Sequence, residues 1–175
     1  MVNVLFSEAA IAEQVSRLAR HVSQDYKALV SRQHPLIVLP VLKGAWIFSA
    51  DLVRCLALPV RLEFLRASSY RDGTSSGELH VDIPGPASLG GHHLLVIEDI
   101  VDTGRTLSRI LENLRACHPH SLKVCTLLDK PARRIMPVEI HYRGFSVGNR
   151  FVVGYGMDLA ECYRELPYVG DLGGS

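Results

Sequence analysis

The sequence predicts an α/β protein, a parallel-sheet core flanked by helices, built as one domain over residues 1–175. Leu36–Leu42 is too short and too uniformly apolar for a surface helix, Leu94–Ile97 is a second uncharged apolar run, and Leu122–Leu128 reads as a further strand. Amphipathic stretches alternate with them, the order that gives a parallel sheet covered on both faces. The middle run ends abruptly in Glu98-Asp99. Adjacent acids are costly inside a strand, so they mark where it leaves the core, and in open α/β sheets the carboxyl end of a strand is where ligands bind.

Taken in order, residues 8–30 read as a helix. Ile11, Val15, Leu18, Val22, Tyr26 and Leu29 recur at steps of three and four, with Ser7 as N-cap and Glu8 in the first turn. Leu36–Leu42 is a buried strand, with Pro40 near its end. Lys43-Gly44 punctuates the chain before a helix over Ala45 to Leu56, and Val60 to Ala67 alternates as a further strand. Residues 68–78 hold one aromatic and little else to bury, and predict a mobile lid loop. A strand at 94–99, a helix over 104–116 and a strand at 122–128 form a βαβ unit, with Leu107, Ile110, Leu111 and Leu114 as the helix's inward stripe. Short strands near 138–142 and 151–154 and an acid-bearing segment at 158–166 complete the chain.

Composition narrows the function. The 175 residues are 47% hydrophobic and 21% charged, with a net charge of +1. That is ordinary for a globular protein and argues against a surface built to coat nucleic acid. No apolar stretch approaches the ~18 residues that span a bilayer, and the first residues lack the features of a signal peptide, so no membrane partner is expected. Cys55, Cys117, Cys125 and Cys162 form no CxxC pair and read as reduced, structural thiols, which points to a cytoplasmic location. His92-His93 and His118-Pro119-His120 lack a visible third ligand and read as solvated loops.

Asp102-Thr103-Gly104-Arg105-Thr106 opens a helix directly after the acids. Helix-start amides are unpaired and carry the positive end of the dipole, so they bind phosphate, while Gly104 permits close approach and Thr103 and Thr106 add hydroxyls. The plainer alternative is a helix cap made by Asp102 or Thr103. A Walker loop is excluded because the chain has no Gly-Lys dipeptide, and Gly154-Tyr155-Gly156-Met157-Asp158-Leu159 lacks the third glycine of a dinucleotide fingerprint.

The combination of apolar strand, acidic pair, a further acid three positions on and Thr-Gly-x-Thr resembles the type I phosphoribosyltransferases. Leu42-Lys43-Gly44, Ser69-Tyr70, Asp129-Lys130-Pro131, Phe151-Val-Val-Gly-Tyr-Gly-Met-Asp158 and Tyr163-Arg164 follow in register from 42 to 164. Together they resemble the hypoxanthine (guanine/xanthine) phosphoribosyltransferases of purine salvage. The resemblance implies a small hood built from terminal segments and transfer of a phosphoribosyl group from phosphoribosyl pyrophosphate (PRPP) to a 6-oxopurine base with Mg²⁺. It implies a 5′-phosphate cradle at Asp102, Thr103, Gly104, Arg105 and Thr106, with Asp102 also the general base or acid at purine N7.

By the same resemblance Glu98 and Asp99 engage the ribose hydroxyls and the metal's surroundings, and Asp158 is a further metal-side carboxylate. Neighbouring strand residues face opposite sides, so Glu98 and Asp99 cannot act alike unless the strand bends. Lys130 donates to O6 and so selects 6-oxopurines, Phe151 stacks on the base and Val152 offers backbone hydrogen bonds. Lys43, Gly44 and Arg164 meet pyrophosphate, in a loop where the family often carries a non-proline cis peptide, and Ser69 and Tyr70 belong to the lid. Ala45 stands where relatives often have a second glycine, and Arg105 occupies a variable position. The early end of the tail fits a compact bacterial-type member. A homodimer or homotetramer is the expected assembly. Alternatives on the same fold are a xanthine-preferring enzyme and a nucleotide-sensing RNA-binding regulator, the latter disfavoured by the near-neutral charge.

Overall fold

The computed structural model describes residues 2–69 and 79–173. Its elements are β1 (Asn3–Phe6), α1 (Glu8–Tyr26), β2 (Leu36–Leu42), α2 (Trp46–Cys55), β3 (Val60–Leu62), β4 (Leu65–Ser69), β5 (Leu79–Asp82), α3 (Pro86–Leu89), β6 (His93–Val101), α4 (Arg105–Arg115), β7 (Ser121–Asp129), β8 (Tyr142–Ser146), β9 (Val152–Val153) and β10 (Val169–Asp171). A 3-10 turn, Pro131–Arg133, follows β7. The central sheet is seven-stranded in the order β5-β4-β2-β6-β7-β8, with β3 also pairing β2. Its pairings are parallel except that of β4 with β5. β1, β10 and β9 form a separate antiparallel three-stranded sheet, so both terminal segments build one hood.

Burial on two faces explains the uniformly apolar runs. Leu36 and Val38 of β2 and Leu95 and Ile97 of β6 join the core packed on α1 and α2. Ile37 and Leu39, with Leu94 and Val96, join the opposite core, which holds Leu107, Ile110, Leu111 and Leu114 of α4. Burying each such side chain contributes about 1.5–3 kcal/mol, so every strand position is under selection for an apolar residue. The register brings the strand ends level at the future site, with Pro40 opposite Ile97 and Val101 opposite Asp129.

Local rules set most boundaries. Ser7 Oγ accepts the Ala10 amide at 3.3 Å and starts α1. α1 stops at Tyr26, short of residue 30, because the amides of Leu29 and Val30 both turn back to the Tyr26 carbonyl. Leu29, expected on its apolar stripe, is 54% exposed. The strand expected over Val60 to Ala67 is two, since Glu63 and Phe64 step outward between them and Phe64 is exposed. Ser68 and Ser69, expected in the loop, extend β4, and Ser69 pairs with Leu79. The strand expected at 138–142 lies at Tyr142–Ser146 instead, where Tyr142 first meets Cys125. The residues before it are occupied in bracing the turn after β6, to which Ile135 and Met136 donate amides at Thr103 O. The strand expected at 151–154 is confined to Val152–Val153, because Gly154 turns the chain at φ +94°. The expected lid falls mostly on residues 70–78, outside the described residues.

Candidate active site

Two adjoining cavities open at the carboxyl end of the sheet, and Asp99, Ile100 and Asp102 line both. The first, of about 260 Å³, is floored by β6 and the turn into α4 and includes Gly44, Glu98, Thr103, Gly104 and Thr106. Gly104 is the helix's N-cap at φ +82°, and no side chain caps the helix. Asp102 and Thr103 therefore do not act as the expected cap. The nearest approach is Thr103 Oγ1, 3.5 Å from the Arg105 amide. A helix start left uncapped and facing a cavity is free to bind an anion. A Cβ at Gly104 would also lie 2.6 Å from the Met136 carbonyl oxygen, so glycine is required by packing as well as by φ.

Glu98 and Asp99 both line the first cavity and their carboxyls approach each other. Glu98 is buried at 7% exposure and meets only the first cavity, whereas Asp99 stands between the two. Burial, then the neighbouring Asp99, pushes the Glu98 carboxyl well above the usual range, and burial likewise raises Asp99. Asp99 Oδ1 accepts the Ile100 amide at 2.8 Å. Its carboxylate lies against the Cα of Gly44, where any Cβ would fall within it. Gly44 thus lets the loop after β2 close over Asp99. In that loop the Leu42–Lys43 peptide is cis. Ala45, in place of a second glycine, is fully buried.

The second cavity, of about 500 Å³, gathers Asp102, Lys130, Phe151, Val152 and Asp158. Lys130 is 6% exposed at the end of β7, its amide bonded to the Val101 carbonyl at 3.0 Å. Its ammonium lies 3.6 Å from Asp102 Oδ2. Beneath it Asp129, 1% exposed, is held by Arg134 and by Arg143 Nε at 2.8 Å, which fixes the strand end. Phe151 is 49% exposed and faces this cavity rather than the core. Sequence reasoning missed Arg133 and Asn149, which line the same cavity. Arg133 Nε donates to Asp102 Oδ1 at 2.7 Å and its Nη1 to Asn149 Oδ1 at 2.6 Å. The basic pair Arg133-Arg134, one residue past Lys130-Pro131, was the available signal.

Lys43 and Arg164 line neither cavity, and both pair with Glu161. Arg164 Nη1 donates to the Gly156 carbonyl at 2.7 Å and Nη2 pairs with Asp158 Oδ1 at 2.9 Å. Arg105 is exposed and lines neither cavity. Tyr70 lies outside the described residues, as does the side chain of Ser69. Among the described residues no helix is long and apolar enough to cross a membrane. The cysteines are all unpaired, in line with the expected reduced thiols, with Cys117 and Cys125 buried and Cys55 and Cys162 exposed.

This arrangement can hold a phosphate on one side of Asp99 and a flat, oxygen-bearing ring on the other. The sequence matches the family described as "Phosphoribosyl transferase domain" over residues 2–159. The chain belongs to the phosphoribosyltransferase family. It is 43% identical to the hypoxanthine-guanine phosphoribosyltransferase of Mycobacterium avium, over 97% of this chain and 85% of that protein. It is 40% identical to the hypoxanthine phosphoribosyltransferase of Salmonella typhimurium, over 97% and 94% respectively. The 1.4 Å crystal structure of the Trypanosoma cruzi hypoxanthine phosphoribosyltransferase superposes with a TM-score of 0.89 at 36% identity, covering 99% of this chain and 97% of that one. The phosphoribosyltransferase fold is type I: the mixed, mostly parallel sheet between helices, with the hood of terminal strands above its carboxyl edge.

Proposed function

We propose that this phosphoribosyltransferase serves purine salvage, moving the phosphoribosyl group of PRPP onto hypoxanthine or guanine and releasing pyrophosphate with IMP or GMP. The observation that carries the reading is the second cavity, where a buried ammonium, an exposed aromatic face and a carboxylate converge beside an uncapped helix start. A 6-oxopurine stacked on Phe151 accepts a hydrogen bond from Lys130 at O6 and turns N7 toward Asp102. A 6-aminopurine would set a donor against a donor, leaving a buried polar group unpaired. The amides from Gly104 onward and the Thr103 and Thr106 hydroxyls hold the 5′-phosphate. As the C1–oxygen bond to pyrophosphate breaks, purine N9 bonds to C1 and Asp102 takes the proton from N7. Arg133 and Lys130 hold the Asp102 carboxylate in place for that transfer. Val152 offers backbone contacts to the base edge.

The donor set fits Mg²⁺. Asp99 and Asp158 face one cavity and supply carboxylate oxygen, the donor type that Mg²⁺ prefers. Among the described residues no three His, Cys, Asp or Glu converge on one point, which suits an ion that keeps waters and substrate oxygens as ligands. Bound with PRPP, Mg²⁺ supplies charge neutralisation at the leaving group. Lys43, Gly44 and Arg164 would meet the pyrophosphate, Arg105 would contribute only its backbone to the cradle, and Ser69 and Tyr70 would belong to a lid over residues 68–78. A single catalytic domain in the cytoplasm, assembled as a homodimer or homotetramer, completes the reading; the exposed Trp46 beside the Lys43 loop suits such contacts.

The test is a steady-state assay with PRPP, Mg²⁺ and each of hypoxanthine, guanine, xanthine and adenine. Nucleotide from hypoxanthine or guanine with none from adenine is expected. No product from any base would overturn the reading.

A further inference from the structure

Glu161 lies in the segment between Asp158 and Arg164 and has no part in the chemistry above. Its two carboxylate oxygens are nevertheless both engaged. Oε2 accepts from Lys43 Nζ at 3.0 Å, and Oε1 lies 3.4 Å from Arg164 Nη2. These are the two cations assigned above to pyrophosphate, and they come from segments far apart in the chain. The turn that presents Glu161 is tightly made. Its amide donates to Asp158 Oδ2 at 2.8 Å, Leu159 and Cys162 exchange backbone hydrogen bonds, and Ala160 and Glu161 both adopt left-handed φ, at +51° and +66°. Lys43 ahead of Arg164 holds the Glu161 carboxyl below the usual range, as expected of an anion seated among cations.

We infer that Glu161 is a built-in competitor of the leaving group: in the free protein its carboxylate occupies Lys43 and Arg164 in place of a pyrophosphate oxygen edge, and it must yield when PRPP binds. The inference rests on the assignment of Lys43 and Arg164 to pyrophosphate. A carboxylate presents two oxygens to the two cations much as one edge of a phosphate does. Binding is then an exchange of anions, and affinity falls by what the Glu161 pairs contribute. The Lys43 pair is exposed on both sides, with side chains 67% and 66% accessible, and the Arg164 contact is longer at 3.4 Å, so the contribution is small. A weak competitor is suited to a product that has to leave: when pyrophosphate departs, Glu161 returns to its cations. Arg164 remains oriented by Asp158 and by the Gly156 carbonyl, so removing the Glu161 charge frees Lys43 without dismantling the site.

The sign of one substitution separates competition from support. Glu161→Gln should bind both Mg²⁺-pyrophosphate and Mg²⁺-PRPP roughly three- to ten-fold more tightly by titration calorimetry. Pyrophosphate should become a stronger product inhibitor by the same factor. The control is Glu165→Gln, which removes an exposed charge four residues on that pairs with neither cation; it should change affinity by less than about two-fold. Unchanged or weaker binding by Glu161→Gln would overturn the inference, the second result making Glu161 a positioning residue. Equal tightening by both variants would also overturn it, as an effect of net charge alone. If the wild-type protein binds neither ligand, the phosphoribosyl reading falls with it, whereas binding without tightening removes the inference alone.

Discussion

The central sheet ends in cavities at both edges, and the contrast between them separates a site from a gap. At the carboxyl end about 500 Å³ is lined by Asp99, Asp102, Lys130 and Phe151. At the amino end about 440 Å³ is lined by His34, His92, His93 and His120 among others. Both ends hold titratable groups that burial pushes toward their neutral forms, Glu98 and Asp99 upward at one end and His92 and His93 downward at the other. The sequence reading placed the histidines in solvated loops. In fact His93 begins β6 and its Nδ1 lies 2.8 Å from Ser121 Oγ. His34 joins from a distant segment, its ring 6.2 Å from that of His92.

What distinguishes the carboxyl end is convergence of unlike groups. Opposite charges meet there across three segments, an uncapped helix points inward, and Gly44 and Gly104 allow backbone to approach where a side chain would not fit. The amino end offers rings of one kind, and its cavity faces no helix start. Shifted pKa values and volume are common to both ends, so neither alone marks the site.

The largest expected effect lies at the carboxyl end. Asp102→Asn should lower kcat by about 10²–10⁴ with an unchanged melting temperature, while His93→Gln leaves kcat within about two-fold. Comparable losses in the two variants would erase the distinction between the edges. Next, Lys130→Ala should reduce the preference for hypoxanthine over adenine by roughly 10–10²-fold while the KM for PRPP stays within about two-fold. An unaltered preference would remove Lys130 from base selection.

Much of this contrast was legible in the sequence, for identifiable reasons. The apolar runs and the α4 stripe gave the layers because burial on both faces constrains each position. The acids Glu98-Asp99 marked only the approach to the carboxyl end of β6, because the strand runs on to Val101 and Glu98 stays buried within it. Asn149 and Glu161 were not legible, and Arg133 showed only as half of a basic pair, since each acts through a contact made only by folding: Arg133 and Asn149 lie 16 residues apart, and Glu161 meets Lys43 across 118. Strand alternation made a difference between Glu98 and Asp99 legible, and only Asp99 lines both cavities. The seat of Asp99 against Gly44 was not, because it depends on the path of the loop after β2. The boundaries at 60–67 and 138–142 failed where hydropathy does not record the backbone path: the outward step at Glu63-Phe64, and the bonds of the Ile135 and Met136 amides to the Thr103 carbonyl just ahead of 138.

The smallest expected effect compares the two ends through pH. Glu98 carries a raised carboxyl, so the folded state binds its proton more tightly than the unfolded chain. Its contribution is present in acid and lost as pH rises from the ordinary carboxylate range through the folded value. Glu98→Gln should therefore raise the melting temperature by a few degrees at about pH 8 and leave it unchanged at about pH 4. His92 and His93 behave oppositely: with folded values lowered, their contribution is present above the ordinary histidine range and lost as pH falls through it. His93→Gln should blunt the loss of stability between about pH 7 and pH 5. The same pH slope for both variants would break the opposition.

The most direct test of which edge is the site is a titration of ¹⁵N-labelled protein with Mg²⁺ and PRPP, followed by amide chemical shifts. The amides of Gly44 and of Thr103 to Leu107 should move most, and those of Gly91, His92 and His120 should stay in place. Dominant shifts at the amino end, or none in the turn that opens α4, would contradict the account.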